Sequence, residues 1–278
     1  MTAPEIFDRR LRRARRDRAM PGYAAHDFLR AFMLEGLQDR LAMVRRPFLD
    51  VLDIGAFAGG VATPPGAHVA RLDAGFRFAR TVGGVQGDED RLPFADGAFD
   101  LVISAGVLDT VNDLPGALSL ARRVLRPDGL FLAAFLGAGS LATLRACLRE
   151  AESDRPVARL HPQVDVRAAG DLLMRAGFAL PVADAETLKV RYRSLTGLLA
   201  DLRGMGATNL MPGRSALGRA TLASAEAAFA ARADADGRTT EHFDILFLTG
   251  WVPDASQPKP ARRGSATASL AAALKPPA

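Results

Sequence analysis

The chain has 278 residues, 49% hydrophobic and 24% charged, which is typical of a globular protein with room for one sizeable α/β domain. No stretch has the roughly 18 uninterrupted apolar residues that a membrane span needs, and the N-terminus has no apolar leader segment. The single cysteine, Cys147, excludes an internal disulfide. We therefore expect a complete, cytoplasmic protein.

The net charge of +5 lies at the two ends of the chain. Residues 1–20 carry +4 and residues 254–278 carry +3, which leaves −2 on the part between them. A basic surface built into the fold is not indicated, so we predict no nucleic-acid partner. The arginine-rich arm at residues 9–18 is either a solvated helix or a segment that docks on an acidic partner or a membrane surface.

Five apolar runs in the first half of the chain predict β-strands. Such runs are typical of a parallel sheet that is buried on both faces. Between the fourth and fifth runs, apolar residues recur at helical spacing, which gives a strand, a crossover helix and a strand. This order favours an α/β fold with a doubly wound, mostly parallel sheet. The runs are residues 48–55, 67–73, 83–88, 98–106 and 129–137.

The second half predicts further helices and a closing strand. We expect two short extended pieces within residues 179–194 and a last strand at residues 242–252. The predicted helices are residues 140–152, 167–177, 194–204 and 217–232. The predicted organisation is therefore a basic arm with helices at 1–46, an α/β domain at 47–253 with a helical insertion at about 194–240 before the last strand, and a disordered tail at 254–278.

Acids and glycines follow the predicted strands where a parallel sheet binds its ligands. Asp73 ends the second strand, where a carboxylate can accept both hydroxyls of a ribose, and Asp88 and Glu89 follow the third, near an adenine amino group. The segment from Ser104 to Asp109 would form the floor of a reaction centre. An acid after a strand can instead cap a helix. The candidate cofactor-binding residues are Asp53, Gly55, Gly59, Asp73, Asp88, Glu89 and Ser104.

The series VLDIG, RLD and GDEDRLPF, followed by residues 98–137, resembles the class I S-adenosylmethionine-dependent methyltransferases of type 11. IFDRRLRRAR, GSLATLRACLREAE, DLLMRAGF and FDILFLTGW make the chain similar to bacterial relatives of the mitochondrial complex I assembly factor that hydroxylates an arginine. The resemblance implies a seven-stranded, Rossmann-like sheet and an S-adenosylmethionine cofactor held by the candidate residues. It also implies a protein substrate, possibly a subunit of respiratory complex I.

Three departures from the family pattern affect the cofactor half of the chain. Phe57 replaces the middle glycine of the cofactor loop, where a bulky residue would be strained at positive φ and would take space used by the methionine end of the cofactor. Residues 61–72 are too few for the usual crossover helix. Asp109 and Thr110 stand where the family usually has a histidine and an aromatic residue.

Three functions remain open at this stage. The first is methyl transfer to a protein, which requires mainly positioning of the reacting atoms. The second is hydroxylation of a protein arginine, for which the sequence shows no set of two histidines and a carboxylate to hold iron. The third is an assembly scaffold whose cofactor pocket is closed by side chains. No catalytic residue is assigned, and no metal site is predicted, since the four histidines are scattered.

Overall fold

Seven strands form one sheet in the computed structural model, which describes residues 5–152 and 157–258. Their order across the sheet is β3-β2-β1-β4-β5-β7-β6. The first five are parallel, and β7 runs antiparallel to both β5 and β6. The predicted α/β fold with a mostly parallel, seven-stranded sheet is confirmed. The strands are β1 Asp50–Ile54, β2 His68–Asp73, β3 Val85–Gln86, β4 Phe99–Ala105, β5 Leu125–Leu136, β6 Ala179–Tyr192 and β7 Thr239–Trp251.

Eight helices surround the sheet in the described part of the chain. Two of them, α1 and α2, precede the first strand, and α7 and α8 lie between β6 and β7, where the helical insertion is predicted. None is long and apolar enough to cross a membrane. The helices are α1 Arg9–Ala19, α2 Phe28–Ala42, α3 Phe76–Thr81, α4 Leu114–Val124, α5 Ala142–Ala151, α6 Val166–Arg175, α7 Leu195–Gly204 and α8 Arg219–Ala230.

The core lies on both faces of the sheet because side chains alternate along each strand. Leu52 and Phe131 belong to a cluster on one face, and Val51, Leu101 and Ile245 belong to a cluster on the other. A third buried cluster joins α5 to the inserted helices α7 and α8. The insertion is therefore packed into the fold rather than appended to it.

The connection after β1 is as short as the sequence indicates. Residues 55–67 contain no helix, α3 has six residues and β3 has two. No crossover helix therefore lies between β1 and β2. Next to β2 and β3, helix α1 packs against the short helix α3.

One prediction in the second half is wrong. Residues 179–192 form a single strand, β6, rather than two short extended pieces. The pairing register shifts between Ala179 and Val182, and Leu180 has a φ of 48°. The bulge contains Pro181. Among the described residues β6 pairs only with β7, and a proline, which has no N–H to donate, is tolerated in such an edge strand.

The start of α5 depends on a carboxylate from the last strand. Leu141 stands at the N-cap with a φ of 60° and makes no side-chain capping bond. Glu241 of β7 is fully buried, and its two oxygens accept hydrogen bonds from the backbone N–H of Thr143 (3.1 Å) and Leu144 (2.8 Å). A negative charge at this end of a helix is also favoured by the helix dipole.

Replacing this carboxylate with an amide should weaken the fold. In Glu241→Gln the amide NH2 meets a backbone N–H, so we expect a loss of about 1–3 kcal/mol in the free energy of unfolding, measured by urea denaturation. The matched control is Glu35→Gln, at an exposed position of α2, which should change stability by less than about 0.5 kcal/mol. Equal effects of the two substitutions would contradict the capping role.

Candidate functional site

The predicted cofactor residues lie together at the carboxyl edge of the parallel strands. Asp53 in β1, Asp73 at the end of β2 and Ser104 in β4 are fully buried. Gly55 starts the loop after β1, and its N–H donates to the carbonyl of Leu72 at 2.8 Å. We call this region the cofactor cleft: the loop at residues 55–60 together with Asp53, Asp73, Asp88, Glu89 and Ser104. That these residues bind a cofactor stays a prediction.

Helix α1 of the basic arm lies over the cofactor cleft. Asp8 begins the helix, since its carboxylate accepts the N–H of Leu11 at 2.9 Å. Residues three or four apart on a helix share one face. The face that points to the cleft carries Arg9, Arg12, Arg13 and Arg16.

The interpretation of the arm as a solvated helix is wrong for this face. Arg12 and Arg16 are each only 5% exposed. Burial of a guanidinium requires a paired charge, and the acidic partner of the arm lies within the chain itself.

Arg16 forms a salt bridge with Asp73, the acid that was predicted to bind a ribose. Its Nε donates to Oδ1 of Asp73 at 2.9 Å, and a terminal nitrogen donates to Oδ2. The same carboxylate accepts the N–H of Gly75 at 2.7 Å and the N–H of Phe57 at 2.9 Å. A carboxylate has about four acceptor positions, so all those of Asp73 are used within the chain.

The acids predicted near the adenine are paired in the same way. Arg12 makes two parallel bonds to Glu89, at 2.6 and 2.7 Å, and both residues are buried. Such bidentate pairs are among the strongest hydrogen bonds in proteins. Arg13 donates to Asp88 at 2.6 Å.

Phe57 fills the loop position that the family gives to glycine. Its φ is 46°, so the predicted positive φ is observed, and its ring is 4% exposed. The guanidinium carbon of Arg16 lies 3.8 Å from the ring centroid, Tyr23 stacks on the ring at 4.9 Å, and Phe78 meets its edge at 5.3 Å. The ring is therefore held inside the cofactor cleft.

This arrangement does not fit S-adenosylmethionine. The carboxylates that were predicted to bind its ribose and adenine form hydrogen bonds with guanidinium groups instead. The ring of Phe57 occupies the space beside the glycine loop.

Two side chains in the cleft make no hydrogen bond at all to the described residues: the carboxylate of Asp53 and the hydroxyl of Ser104. One oxygen of Asp88, Oδ1, also has no partner among these residues, while its Oδ2 accepts from Arg13. A guanidinium nitrogen of Arg30 lies 4.0 Å from Asp53, and burial raises the pKa of this acid to about 6.

A cavity of about 480 Å³ adjoins the cleft, with Asp109 and Thr110 in its wall. The hydroxyl of Thr110 accepts the Nε–H of Arg12 at 3.1 Å, so one side chain of α1 touches both compartments. Burial raises the pKa of Asp109 to about 6. The sequence marks these two residues as departures from the family but does not indicate the cavity.

Sequence reasoning missed Arg12, Arg16, Tyr23 and Arg30 as parts of the site. For the arginines of α1 a signal was present, because positions 9, 12, 13 and 16 repeat at helical spacing. For Tyr23 and Arg30 no local pattern marks the role, since each reaches the cleft only through the fold.

Known proteins resemble the chain in both sequence and structure. Residues 52–133 match the family described as a methyltransferase domain. The mitochondrial arginine-hydroxylase NDUFAF5 of Danio rerio is 34% identical over 284 residues, which cover 96% of this chain and 88% of that protein. The malonyl-[acyl-carrier protein] O-methyltransferase of Laribacter hongkongensis is 31% identical over 280 residues, covering 92% and 93%.

The solved structures show the fold. The YcgJ protein of Bacillus subtilis aligns with a TM-score of 0.56 at 17% identity, covering 81% of this chain and 99% of that one. The sheet described above is therefore part of a fold that this solved structure shares.

The carboxyl of Asp53, which makes no hydrogen bond within the described residues, should affect how stability depends on pH. A carboxyl whose pKa is about 6 in the folded chain and about 4 when unfolded binds protons more tightly in the fold, so stability falls as pH rises through this window. Asp53→Asn cannot ionise. Its free energy of unfolding, relative to the original chain, should rise by about 2 kcal/mol between about pH 4 and pH 7, measured by urea denaturation.

Asp171→Asn is the matched control for this prediction, since it removes the same charge from an exposed position of α6. If both variants followed the same pH trend, the shifted acid would not be Asp53.

Proposed function

The chain belongs to the family of the mitochondrial arginine-hydroxylases within the class I methyltransferase superfamily, and from this premise we propose that it is an assembly scaffold for respiratory complex I whose cofactor cleft is closed by its own residues. The observation that carries the proposal is the pairing of Arg12 with Glu89 and of Arg16 with Asp73, together with the packing of Arg16 over the ring of Phe57. The resemblance to complex I assembly factors supports the partner.

The closure has an energetic consequence for a cofactor. To admit a nucleoside, the guanidinium of Arg16 must leave Asp73, and separating a buried ion pair costs up to about 3–5 kcal/mol. Each 1.4 kcal/mol lowers an affinity about tenfold. One pair therefore weakens binding by up to about two to three and a half powers of ten, and Arg12 with Glu89 adds a second pair.

A second function is favoured by one specific observation. The carboxylate of Asp53 and the hydroxyl of Ser104 are buried without partners in the described part of the chain, and a ligand would satisfy them. This supports an S-adenosylmethionine-dependent methyl transfer to a protein in a state where α1 has left the cleft. Hydroxylation of an arginine, as the name of the relatives states for them, is the third candidate.

Calorimetric titration distinguishes a closed cleft from an open one. With S-adenosylmethionine or S-adenosylhomocysteine we expect no binding heat from the original chain. The variant that combines Phe57→Gly with Arg16→Gln should bind, because it removes the ring and frees Asp73. Circular dichroism must first show that this variant is folded.

Micromolar binding by the original chain that is lost in Asp73→Asn would overturn the closed cleft and favour methyl transfer. A folded double variant that fails to bind would show that Phe57 and Arg16 are not what closes the cleft.

Genetic rescue tests the scaffold directly. In a strain that lacks the gene and assembles complex I poorly, the variant Asp53→Asn with Ser104→Ala should restore complex I to the level of the original chain. These two side chains make no bond to α1, so the substitution spares the salt bridges of that helix and removes only the 4.0 Å contact between Asp53 and Arg30. Complex I would be measured by native gel electrophoresis and its subunits by mass spectrometry.

Two results would contradict the scaffold. One is failure of the folded variant to rescue. The other is a subunit that gains the mass of a methylene or of an oxygen atom only when the original chain is present, which would assign methylation or hydroxylation respectively.

A further inference from the structure

The cavity beside the cofactor cleft has the size and wall of a small-molecule site. Its volume of about 480 Å³ lies within the range of roughly 300–1,000 Å³ that ligand pockets have. Much of its wall is leucine, contributed by β5, α5, α7 and the loop before α8. Among these leucines are Leu136, Leu144, Leu148, Leu199, Leu202 and Leu217.

Three arginines in the wall of this cavity have no carboxylate partner within the described residues: Arg15, Arg203 and Arg214. Arg15 is half-buried, and within residues 5–152 and 157–258 its side chain donates only to the backbone carbonyl of Asn209. Burial and the like charge of Arg214 lower the pKa of Arg15, which shows that the two guanidinium groups repel each other. An anion between them would relieve this repulsion.

The other charged groups of the cavity define which part is positive. Arg159 is neutralised, since it pairs with Glu152 and donates to the carbonyl of Ser215. The ring of His161 accepts the N–H of Leu210 at 2.9 Å, and burial lowers its pKa to about 4, so it adds no charge near neutral pH.

An acid, Asp109, also belongs to the cavity wall. Asp109 lies beside Thr110, next to the cofactor cleft, whereas Arg203 and Arg214 are exposed at the solvent side. The cavity thus has a positive mouth, an apolar wall and an acid on the side next to the cofactor cleft.

We propose that this cavity binds a medium-chain fatty carboxylate, with the hydrocarbon chain among the leucines and the head group on Arg15, Arg203 and Arg214. The planar guanidinium fork matches a carboxylate, and burial of each methylene favours binding. A carboxylate at Asp109 would be repelled, which sets the head group at the mouth. The site goes beyond the proposed function, since the cavity and its arginines are distinct from the cofactor cleft.

Dodecanoate titrated calorimetrically into the full chain, below its micelle concentration, tests the site. We expect micromolar binding to the original chain and at least tenfold weaker binding to Arg203→Gln with Arg214→Gln. Both arginines are exposed, so the fold should survive the substitution. The matched control is Arg175→Gln, at an exposed position of α6, which should leave the affinity unchanged.

Two further titrations distinguish the contribution of the carboxylate head group from that of the ligand's hydrocarbon chain. Dodecanol should bind equally to the original chain and to the double arginine variant, because it has no charge to lose. Leu199→Phe, which narrows the cavity, should weaken the binding of both dodecanoate and dodecanol.

The proposal is overturned by any of three results. These are an absence of dodecanoate binding to the original chain, equal binding of dodecanoate and dodecyltrimethylammonium, and an affinity for dodecanoate that the double arginine variant leaves unchanged.

Discussion

The salt bridge between Arg16 and Asp73 is the contact on which the cleft depends. Both groups are almost fully buried, and a buried charge is stable only when it is paired and its other hydrogen-bonding positions are satisfied. Asp73 meets this condition because the backbone N–H groups of Phe57 and Gly75 complete its set of donors. The carboxylate therefore fixes three segments at once: helix α1, the loop after β1 and the turn after β2.

Phe57 and α1 stabilise each other through this contact. A bulky residue at positive φ costs about 1–3 kcal/mol. A desolvated guanidinium over an aromatic ring contributes up to about 2 kcal/mol, and each well-placed aromatic pair adds about 0.5–1.5 kcal/mol. Arg16, Tyr23 and Phe78 together offset the strain, so a ring is stable where the family has glycine. Without α1 the ring would lose Arg16, and the strain would remain.

The sequence predicts the sheet far better than the state of the cleft. Runs such as residues 98–106 and 129–137 are apolar because both faces of the sheet are covered, and that local pattern is visible in one chain. The bonds from Arg12 to Glu89 and from Arg16 to Asp73 join residues 77 and 57 positions apart, and no local pattern reports such pairs. Counting the net charge of each segment separately also hides the pairing, because the basic arm and the acids that neutralise it lie in different segments. Only the helical spacing of the arginines pointed to a common partner.

Helix α1 forms part of the wall of both compartments, which ties their states together. Arg12 and Arg16 face the cofactor cleft, while Arg15 lines the neighbouring cavity. Arg12 also donates to Thr110, which stands between the two. A movement of α1 that opened the cleft would therefore remove one arginine from the mouth of the cavity and the bond that positions Thr110. Because the same helix supplies these groups, a closed cleft and a complete cavity belong to one position of α1, and an open cleft belongs to another.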